Sequence, residues 1–130
     1  MGFIRRLLGI ETKPGEPEPL GDREFDAAVE ASDLPVFVFF FSLWCSSCQV
    51  TAGLLNELGP RYRDRARFYK VDATKNPASA GKMNVRGVPT VVALSGGGIL
   101  GRNTGLVPID ELAGWIEESL DRAAGTEGDG

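Results

Sequence analysis

The chain has no histidine and only two cysteines among its 130 residues, Cys45 and Cys48. Without histidine it can form neither a Ser-His nor a Cys-His catalytic pair, and it has no imidazole ligand for a metal ion. A structural zinc site needs four ligands, and one Cys-x-x-Cys motif supplies two. A zinc ion shared by two chains through four thiolates is the alternative to a redox use of the pair. We expect the redox use, with no metal and no cofactor beyond the Cys45–Cys48 couple itself.

A net positive charge and long apolar runs are also lacking. The formal net charge is -4, which argues against the phosphate-neutralising surface of a nucleic-acid binder. The apolar run 36–41 has the length of a strand covered on both faces and is far too short to cross a membrane. We therefore expect no nucleic-acid partner, and we expect this run to lie deep in the core.

Residues 1–10 are predicted to form a short amphipathic N-terminal segment, since four apolar side chains recur at helical spacing: Phe3, Ile4, Leu7 and Leu8. The segment lacks the unbroken apolar stretch and the small-residue cleavage site of a signal peptide. Cytoplasmic localisation is the resulting expectation. A basic helix of this kind can touch a membrane surface or a partner, but its small apolar face favours a frayed or self-docked terminus, so membrane contact is not expected.

Composition divides the rest of the chain into three parts. Residues 11–19 are rich in proline and glutamate, which predicts a semi-rigid linker. Residues 123–130 lack periodicity, which predicts a disordered tail. Residues 20–122 are expected to form one compact domain, for which the 42% hydrophobic content of the chain is sufficient, and we expect this domain to be a monomer.

Within residues 20–122 the apolar pattern predicts strands and helices in alternation. Strands are predicted at 36–41, 68–71, 89–94 and 99–104, and the glycines at 96–98 predict a hairpin between the last two. Helices are predicted after Asp22, after the cysteine pair, from Asn76 to about Met83 and after Pro108. Asp22 and Asn76 are the predicted N-caps of the first and third of these helices.

Four short motifs span nearly the whole of this compact domain. They are Trp44-Cys45-Ser46-Ser47-Cys48 after an apolar strand, Lys70-Val71-Asp72 followed by Asn76-Pro77, Val85-Arg86-Gly87-Val88-Pro89-Thr90, and Asn103-Thr104-Gly105. In this order and spacing they resemble the thioredoxin family. The resemblance implies an α/β thioredoxin fold, in which a central mixed β-sheet is flanked by helices on both faces as three α/β/α layers. It also implies a thiol-disulfide oxidoreductase that reduces or exchanges protein disulfides, with a reductase as a candidate electron donor.

The segment around the cysteines departs from the family pattern at several positions. Ser46-Ser47 stand where the family has Gly-Pro, Gln49 stands where it has a basic residue, and Gly53 stands where it has a kinking proline. Changes between the two cysteines shift the reduction potential in this family. We expect a couple that is less reducing than ordinary thioredoxin.

Two phenylalanines stand where the family keeps a buried acid and its lysine partner. The acid position, six residues before the first cysteine, is Phe39, and the lysine position is Phe68. The region behind Cys48 should therefore be dry, which disfavours the Cys48 thiolate and removes a base that could accept its proton. Resolution by Cys48 should be slow or should use water that enters from the surface.

The two cysteines are expected to have different roles. Cys45, at the junction of strand and helix, faces the free N–H groups and the positive end of the helix dipole, which makes it the candidate nucleophile. Cys48, one turn inside the helix, is the candidate resolving thiol, which attacks the mixed disulfide. The alternatives are a pair of inert buried thiols, or a thioredoxin-like module that binds a partner with weak or no redox turnover.

The resemblance implies substrate-binding roles for five residues around the pair: Trp44, Gly87, Val88, Pro89 and Gly105. The family's cis-proline corresponds to Val88–Pro89, and the backbone of Val88 can pair with an extended substrate segment as a strand does. Gly105 would allow that segment to approach closely. Trp44 either contacts substrate or serves mainly in packing.

Overall fold

The computed structural model describes residues 13–128, which form a five-stranded sheet with helices on both faces. In chain order the elements are β1 (Glu18–Pro19), α1 (Asp22–Glu30), β2 (Val36–Phe41), α2 (Ser46–Leu58), a 3-10 turn (Gly59–Tyr62), β3 (Arg67–Asp72), α3 (Pro77–Lys82), β4 (Thr90–Ser95), β5 (Gly98–Thr104) and α4 (Ile109–Gly128). The predicted amphipathic segment 1–10 lies outside the described residues.

The sheet is mixed, with the strand order β1-β3-β2-β4-β5. Strands β1 and β2 run parallel to β3, whereas β4 is antiparallel to both β2 and β5. Gly96 and Gly97, with φ of 59° and 85°, form the turn between β4 and β5, and this confirms the predicted hairpin. The mixed sheet with helices on both faces confirms the predicted α/β class.

The apolar run 36–41 is the central strand, β2, as its composition predicts. Phe37 and Phe39 point to one face of the sheet, where they pack with Leu55 of α2 and Ile116 of α4. The alternate residues of β2 point to the other face and pack beneath α1 and α3. Both faces of β2 are therefore covered, and three α/β/α layers result. The cysteine motif follows shortly after the end of β2.

The ordered structure begins before the predicted domain boundary at residue 20. Strand β1, which lies inside the predicted linker 11–19, pairs with β3, and the N–H of Leu20 donates to the carbonyl oxygen of Lys70 over 2.9 Å. Gly15, with φ of 92°, lies so close to Gly59 that a Cβ on Gly59 would collide with the Gly15 carbonyl oxygen. Proline content does not exclude such pairing, because proline is tolerated in an edge strand.

The last helix continues beyond residue 122, where the sequence predicts the domain to end. Helix α4 runs to Gly128 and so occupies part of the predicted tail 123–130. Ala123 is buried three residues after Leu120, which extends the apolar face of the helix by one turn. A helical glycine costs about 1 kcal/mol relative to alanine, which is too little to end a helix whose face is still packed.

Helices α1 and α3 satisfy each other's N-terminal groups, whereas the sequence predicts local caps. The carboxylate of Asp22, in the first turn of α1, accepts hydrogen bonds from the N–H groups of Ala78 and Ser79 and from the Ser79 hydroxyl. In return the side-chain oxygen of Asn76 accepts from the N–H of Asp22 over 2.9 Å. The Ser79 hydroxyl is the main reason why the pKa of Asp22 lies below its ordinary value.

Candidate active site

Cys45 occupies the N-cap position of α2, directly after the turn that follows β2. Its backbone is extended, with φ of -101° and ψ of 105°, and its Sγ accepts a hydrogen bond from the N–H of Cys48 over 3.1 Å. The sulfur thus takes the place of the oxygen of a serine or aspartate N-cap. Cys45 and Cys48 are joined by a disulfide, with their Cα atoms 5.1 Å apart.

The two sulfurs lie in different surroundings. Cys45 is half-buried, whereas Cys48 is only 2% exposed and belongs to the core cluster between the sheet, α2 and α4. An incoming disulfide can therefore reach Cys45 more readily than Cys48. Cys48 is the more buried of the two, as its position inside the helix predicts.

The polar groups around Cys45 favour a negative charge on its sulfur. Besides the Cys48 N–H, the hydroxyl of Ser47 lies 3.4 Å from Cys45 Sγ and can donate to it. The first turn of α2 contains no acidic residue, so the positive end of the helix dipole is not neutralised there. Ser47 was not predicted as a donor, although its position two residues after the N-cap is a signal for one.

The loop before β4 brings the predicted substrate-binding residues next to Cys45. The Val88–Pro89 peptide is cis, as the resemblance implies, and the Val88 carbonyl oxygen lies 3.8 Å from Cys45 Sγ. The Pro89 carbonyl oxygen accepts a hydrogen bond of 2.8 Å from the N–H of Gly105, whose φ is 91°. A Cβ on Gly87 or on Gly105 would meet nothing within 4 Å, so the surface beside both residues is open.

Exposed apolar side chains border the cysteine pair. Trp44 is 93% exposed, which leaves its ring free for contact with another molecule and gives it little part in packing. Leu43, Val50 and Leu106 are also exposed. Isolated apolar residues are normal on protein surfaces, but a group of them around a reactive disulfide is suited to hold a protein substrate.

Arg102 of β5 forms hydrogen bonds with the backbone at the start of the loop that carries Val88. Its guanidinium donates to the carbonyl oxygens of Met83 and Asn84, over 2.9 and 3.2 Å. Asn84 has a positive φ of 55°, so the chain turns sharply between α3 and this loop. Arg102 was not predicted from the sequence, because no local pattern shows that β5 passes beside the end of α3.

Behind Cys48 the prediction that Phe68 takes the position of the lysine partner is wrong, because in the β2–β3 pairing the partner of Phe39 is Lys70, and Phe68 pairs with Phe37. Phe39 and Phe68 belong to the same core cluster as Cys48, and Phe68 stacks on Phe37 with 5.1 Å between ring centroids. No Asp, Glu, Lys or Arg side chain of residues 13–128 is buried, and burial raises the pKa of Tyr62 above the ordinary value, so this phenol is neutral at pH 7. Within the described residues, the core side of Cys48 therefore holds no proton carrier.

The prediction of a dry surrounding is incomplete, because Cys48 also lines an open pocket. This Cys48 pocket has a volume of about 170 Å³, and its walls include Phe39, Gln49, Ala52 and Lys70. Such a volume is enough for several water molecules, each of which takes up about 30 Å³ in the liquid. Cys48 is only 2% exposed, is dry towards the core and lines this pocket on its other side.

Two further observations concern metal ions and membranes. In residues 13–128 no cluster of three or more cysteine, histidine, aspartate or glutamate side chains is placed to hold a metal ion. Nor does any helix in this part of the chain have the length and apolar character needed to cross a membrane.

Comparison with known proteins identifies the family. The thioredoxin family model matches residues 16–118. The chain is 28% identical to a thioredoxin of Haemophilus influenzae over 101 residues, which is 78% of this chain and 94% of the relative. It is 31% identical to thioredoxin C-2 of Corynebacterium nephridii over 99 residues, which is 76% of this chain and 92% of the relative.

A solved structure shares both the fold and the sequence pattern. It is a mutant thioredoxin from Halobacterium salinarum, which superposes with a TM-score of 0.73 and is 31% identical in sequence. The match covers 85% of this chain and 96% of the other. The chain therefore belongs to the thioredoxin family, has the thioredoxin fold and is a thiol-disulfide oxidoreductase.

Proposed function

We propose that the chain reduces protein disulfides, with Cys45 as the nucleophile and Cys48 as the resolving thiol. The observation that carries this assignment is the asymmetry of the pair. Cys45 is accessible and accepts hydrogen bonds, whereas Cys48 is buried behind it. A thiolate that accepts such bonds at a helix N-terminus is stabilised relative to the thiol.

The reaction consists of two exchanges. The Cys45 thiolate attacks one sulfur of the substrate disulfide, that disulfide breaks, and its other sulfur leaves as a thiolate. The Cys48 thiolate then attacks Cys45 Sγ, and the second substrate sulfur leaves with the electron pair of the mixed disulfide. The substrate gains two electrons and takes up two protons, and Cys45–Cys48 is left oxidised. A reductase is the proposed electron donor that restores the dithiol.

Substrate binding is proposed to use the surface around Val88. The Val88 carbonyl oxygen is close to Cys45 Sγ and can pair with an extended substrate segment. The open surface beside Gly87 and Gly105 leaves room for that segment, and Pro89 holds the loop to Gly105. The exposed ring of Trp44 supplies apolar contact at the edge.

Trapping of the mixed disulfide tests the assignment of the two roles. A model peptide with one internal disulfide is mixed with the reduced Cys48→Ser variant and, separately, with the reduced Cys45→Ser variant. We expect mass spectrometry to show a stable covalent adduct with Cys48→Ser and little or none with Cys45→Ser. Adducts that form only in Cys45→Ser would reverse the two roles. Adducts that form equally in both variants would show that the two cysteines do not have distinct roles.

We further propose a cytoplasmic monomer whose couple is less reducing than ordinary thioredoxin. The Cys48 N–H and the Ser47 hydroxyl stabilise the reduced Cys45 thiolate, which raises the reduction potential. Equilibration with glutathione measures this potential. A value at or below about -270 mV, the value for thioredoxin, would contradict the proposal.

A further inference from the structure

Thr51 lies next to the resolving cysteine on the buried side of α2. The buried residues of this helix follow each other at intervals of three and four and so form one stripe along it: Cys48, Thr51, Leu55 and Leu58. Within the stripe, Cys48 and Thr51 are only 2% and 3% exposed. Side chains three positions apart are neighbours on a helix, with about 5 to 6 Å between their Cβ atoms. The side chain that precedes Thr51 in the stripe is therefore that of Cys48.

The hydroxyl of Thr51 has no hydrogen-bond partner among residues 13–128 in the disulfide form of the protein. Buried hydroxyls are normally paired, because an unpaired one loses its hydrogen bonds to water and gains nothing in return. A threonine inside a helix commonly donates to the carbonyl oxygen three or four residues earlier, but Thr51 does not do so. A partner that is present in another redox state of the protein would explain why a donor is kept at this buried position.

The surroundings of Thr51 restrict the choice of that partner. Of the hydrophobic side chains described in the core cluster around Cys48, four carry a heteroatom: Cys45, Cys48, Tyr62 and Trp115. The indole of Trp115 can only donate. Tyr62 comes eleven residues after Thr51, which is about 16 Å along a helix. The cysteines remain as acceptors, and Cys48 is the nearer of the two along α2.

We propose that Thr51 is a positioning residue for the resolving thiolate: its hydroxyl donates to Cys48 Sγ while the disulfide is open and loses that partner when the disulfide closes. The proposal rests on the role of Cys48 as the resolving thiol. In the disulfide form Cys48 Sγ is bonded to Cys45 Sγ, and a sulfur in that state is at most a weak acceptor. A thiolate is a charged acceptor, and hydrogen bonds to charged acceptors are roughly twice as strong as neutral ones.

The step that this hydrogen bond assists is the second thiol exchange. In the mixed disulfide the Cys48 thiol gives its proton to water on the side of the Cys48 pocket, and the thiolate accepts from the Thr51 hydroxyl. The thiolate then attacks Cys45 Sγ, the sulfur–sulfur bond to the substrate breaks, and the substrate sulfur leaves with the electron pair. Because burial disfavours a thiolate, a donor on the dry side of Cys48 makes resolution faster.

The same arrangement couples Thr51 to the reduction potential. Its hydroxyl is paired in the dithiol form and unpaired in the disulfide form, so Thr51→Val removes a stabilisation of the first and a cost of the second. We expect this variant to shift the equilibrium with glutathione towards the disulfide by about 3- to 10-fold, which makes the potential roughly 15 to 30 mV more negative for a two-electron couple. Thr51→Ser, which keeps the hydroxyl, should stay within about twofold of wild type.

Stopped-flow reaction of the reduced full chain with excess Ellman's disulfide tests the effect on resolution. The first equivalent of coloured thiolate reports attack by Cys45, and its rate rises with the reagent concentration. The second equivalent reports resolution by Cys48, and its rate does not. Thr51→Val should slow the second phase about 3- to 10-fold at pH 7, move its pH midpoint upwards by roughly 0.5 to 1 unit and leave the first phase unchanged.

Ser119→Ala is the matched control for the loss of a buried hydroxyl. Ser119 of α4 is buried like Thr51, but its hydroxyl has a partner, the carbonyl oxygen of Trp115 at 2.8 Å. This variant should leave the potential and both phases unchanged. The proposal is overturned if Thr51→Val has the wild-type potential and second phase, which is the result for a hydroxyl that is unpaired, or bound to water, in both redox forms. It is also overturned if Ser119→Ala shifts them equally.

Cys48→Ser distinguishes failure of this proposal from failure of the assigned roles. If Cys48 resolves, this variant lacks the second phase whatever the behaviour of Thr51→Val. A second phase that persists in Cys48→Ser would remove the resolving role and, with it, the proposed role of Thr51.

Discussion

The hydroxyl of Thr51 lies buried on the inner side of α2, one turn after Cys48. Thr51 is 3% exposed. Its hydroxyl oxygen is the one buried side-chain polar atom of residues 13–128 that has no hydrogen-bond partner. Burial of an unpaired hydroxyl costs free energy, because its hydrogen bonds to water are lost and nothing replaces them. Thr51 therefore lowers the stability of the fold at this position.

Thr51→Val should raise the free energy of unfolding by about 1 kcal/mol, since valine has nearly the same shape and no hydroxyl. Chemical denaturation at pH 7 measures the change. Thr90→Val is the matched control, because Thr90 is equally buried but its hydroxyl donates to the Gly87 carbonyl oxygen over 2.7 Å. That variant should lose about 1 to 2 kcal/mol. Equal losses in both variants would show that the Thr51 hydroxyl has a partner.

At the scale of elements, Asp22 joins α1 to α3 through charge. Its carboxylate binds the first N–H groups of α3, and these bonds lower its pKa in the folded state. A group whose pKa is lowered by folding stabilises the fold above its unfolded pKa, and that contribution is lost as the pH falls through the folded pKa. The ordinary value here is 3.8, so the contribution is complete at neutral pH and disappears in acid.

Asp22→Asn should lower the melting temperature at pH 7, and the difference from wild type should shrink as the pH falls below about 3.8. Thermal unfolding followed by circular dichroism over this pH range measures both effects. Glu24→Gln is the control, since it removes the same charge from the first turn of α1 without a hydrogen bond to α3 among the described residues. A difference for Asp22→Asn that does not change with pH would rule out the ionised carboxylate as its cause.

The hydrogen bonds from Arg102 of β5 to the start of the Val88 loop also join two elements. Arg102→Met should lower the free energy of unfolding by about 1 to 2 kcal/mol, because two backbone carbonyls lose a charged donor. It should also slow reduction of a protein disulfide more than reaction with Ellman's disulfide, since the small reagent does not need the loop. Arg86→Met, which loses only a 3.4 Å contact to the Asn84 side chain, should stay within about 0.5 kcal/mol of wild type. If Arg102→Met slowed the reactions with both disulfides equally, the Arg102 hydrogen bonds would have no role in positioning the loop.

The sequence predicts those elements that are determined by the residues within the element itself. The run of phenylalanine and valine is sufficient to predict β2, and the glycines at 96 and 97 are sufficient to predict the hairpin. The reciprocal bonds of Asp22 and Asn76 could not be predicted, because each residue is also a good cap for its own helix and only the packing of α1 beside α3 decides between the two. Strand β1 was missed for a similar reason, since two residues carry too little pattern.

At the scale of the whole molecule, the fold places one reactive disulfide at the end of the central strand. The position of Cys45 at a helix start was predictable from Trp44-Cys45-Ser46-Ser47-Cys48, because the motif joins an apolar strand to an amphipathic helix. The approach of Val88 and Gly105 to it was predictable only through the family resemblance. The Cys48 pocket was not predictable, since its walls come from β2, β3 and α2 and depend on how these pack.

Insulin reduction with dithiothreitol as the reductant tests the central claim most directly, because precipitation of the freed B chain reports cleavage of a protein disulfide. We predict that the wild-type protein accelerates precipitation and that Cys45→Ser, shown to be folded by circular dichroism, falls to the rate of dithiothreitol alone. A wild-type rate no faster than dithiothreitol alone, or a Cys45→Ser rate equal to wild type, would contradict a disulfide reductase that acts through Cys45.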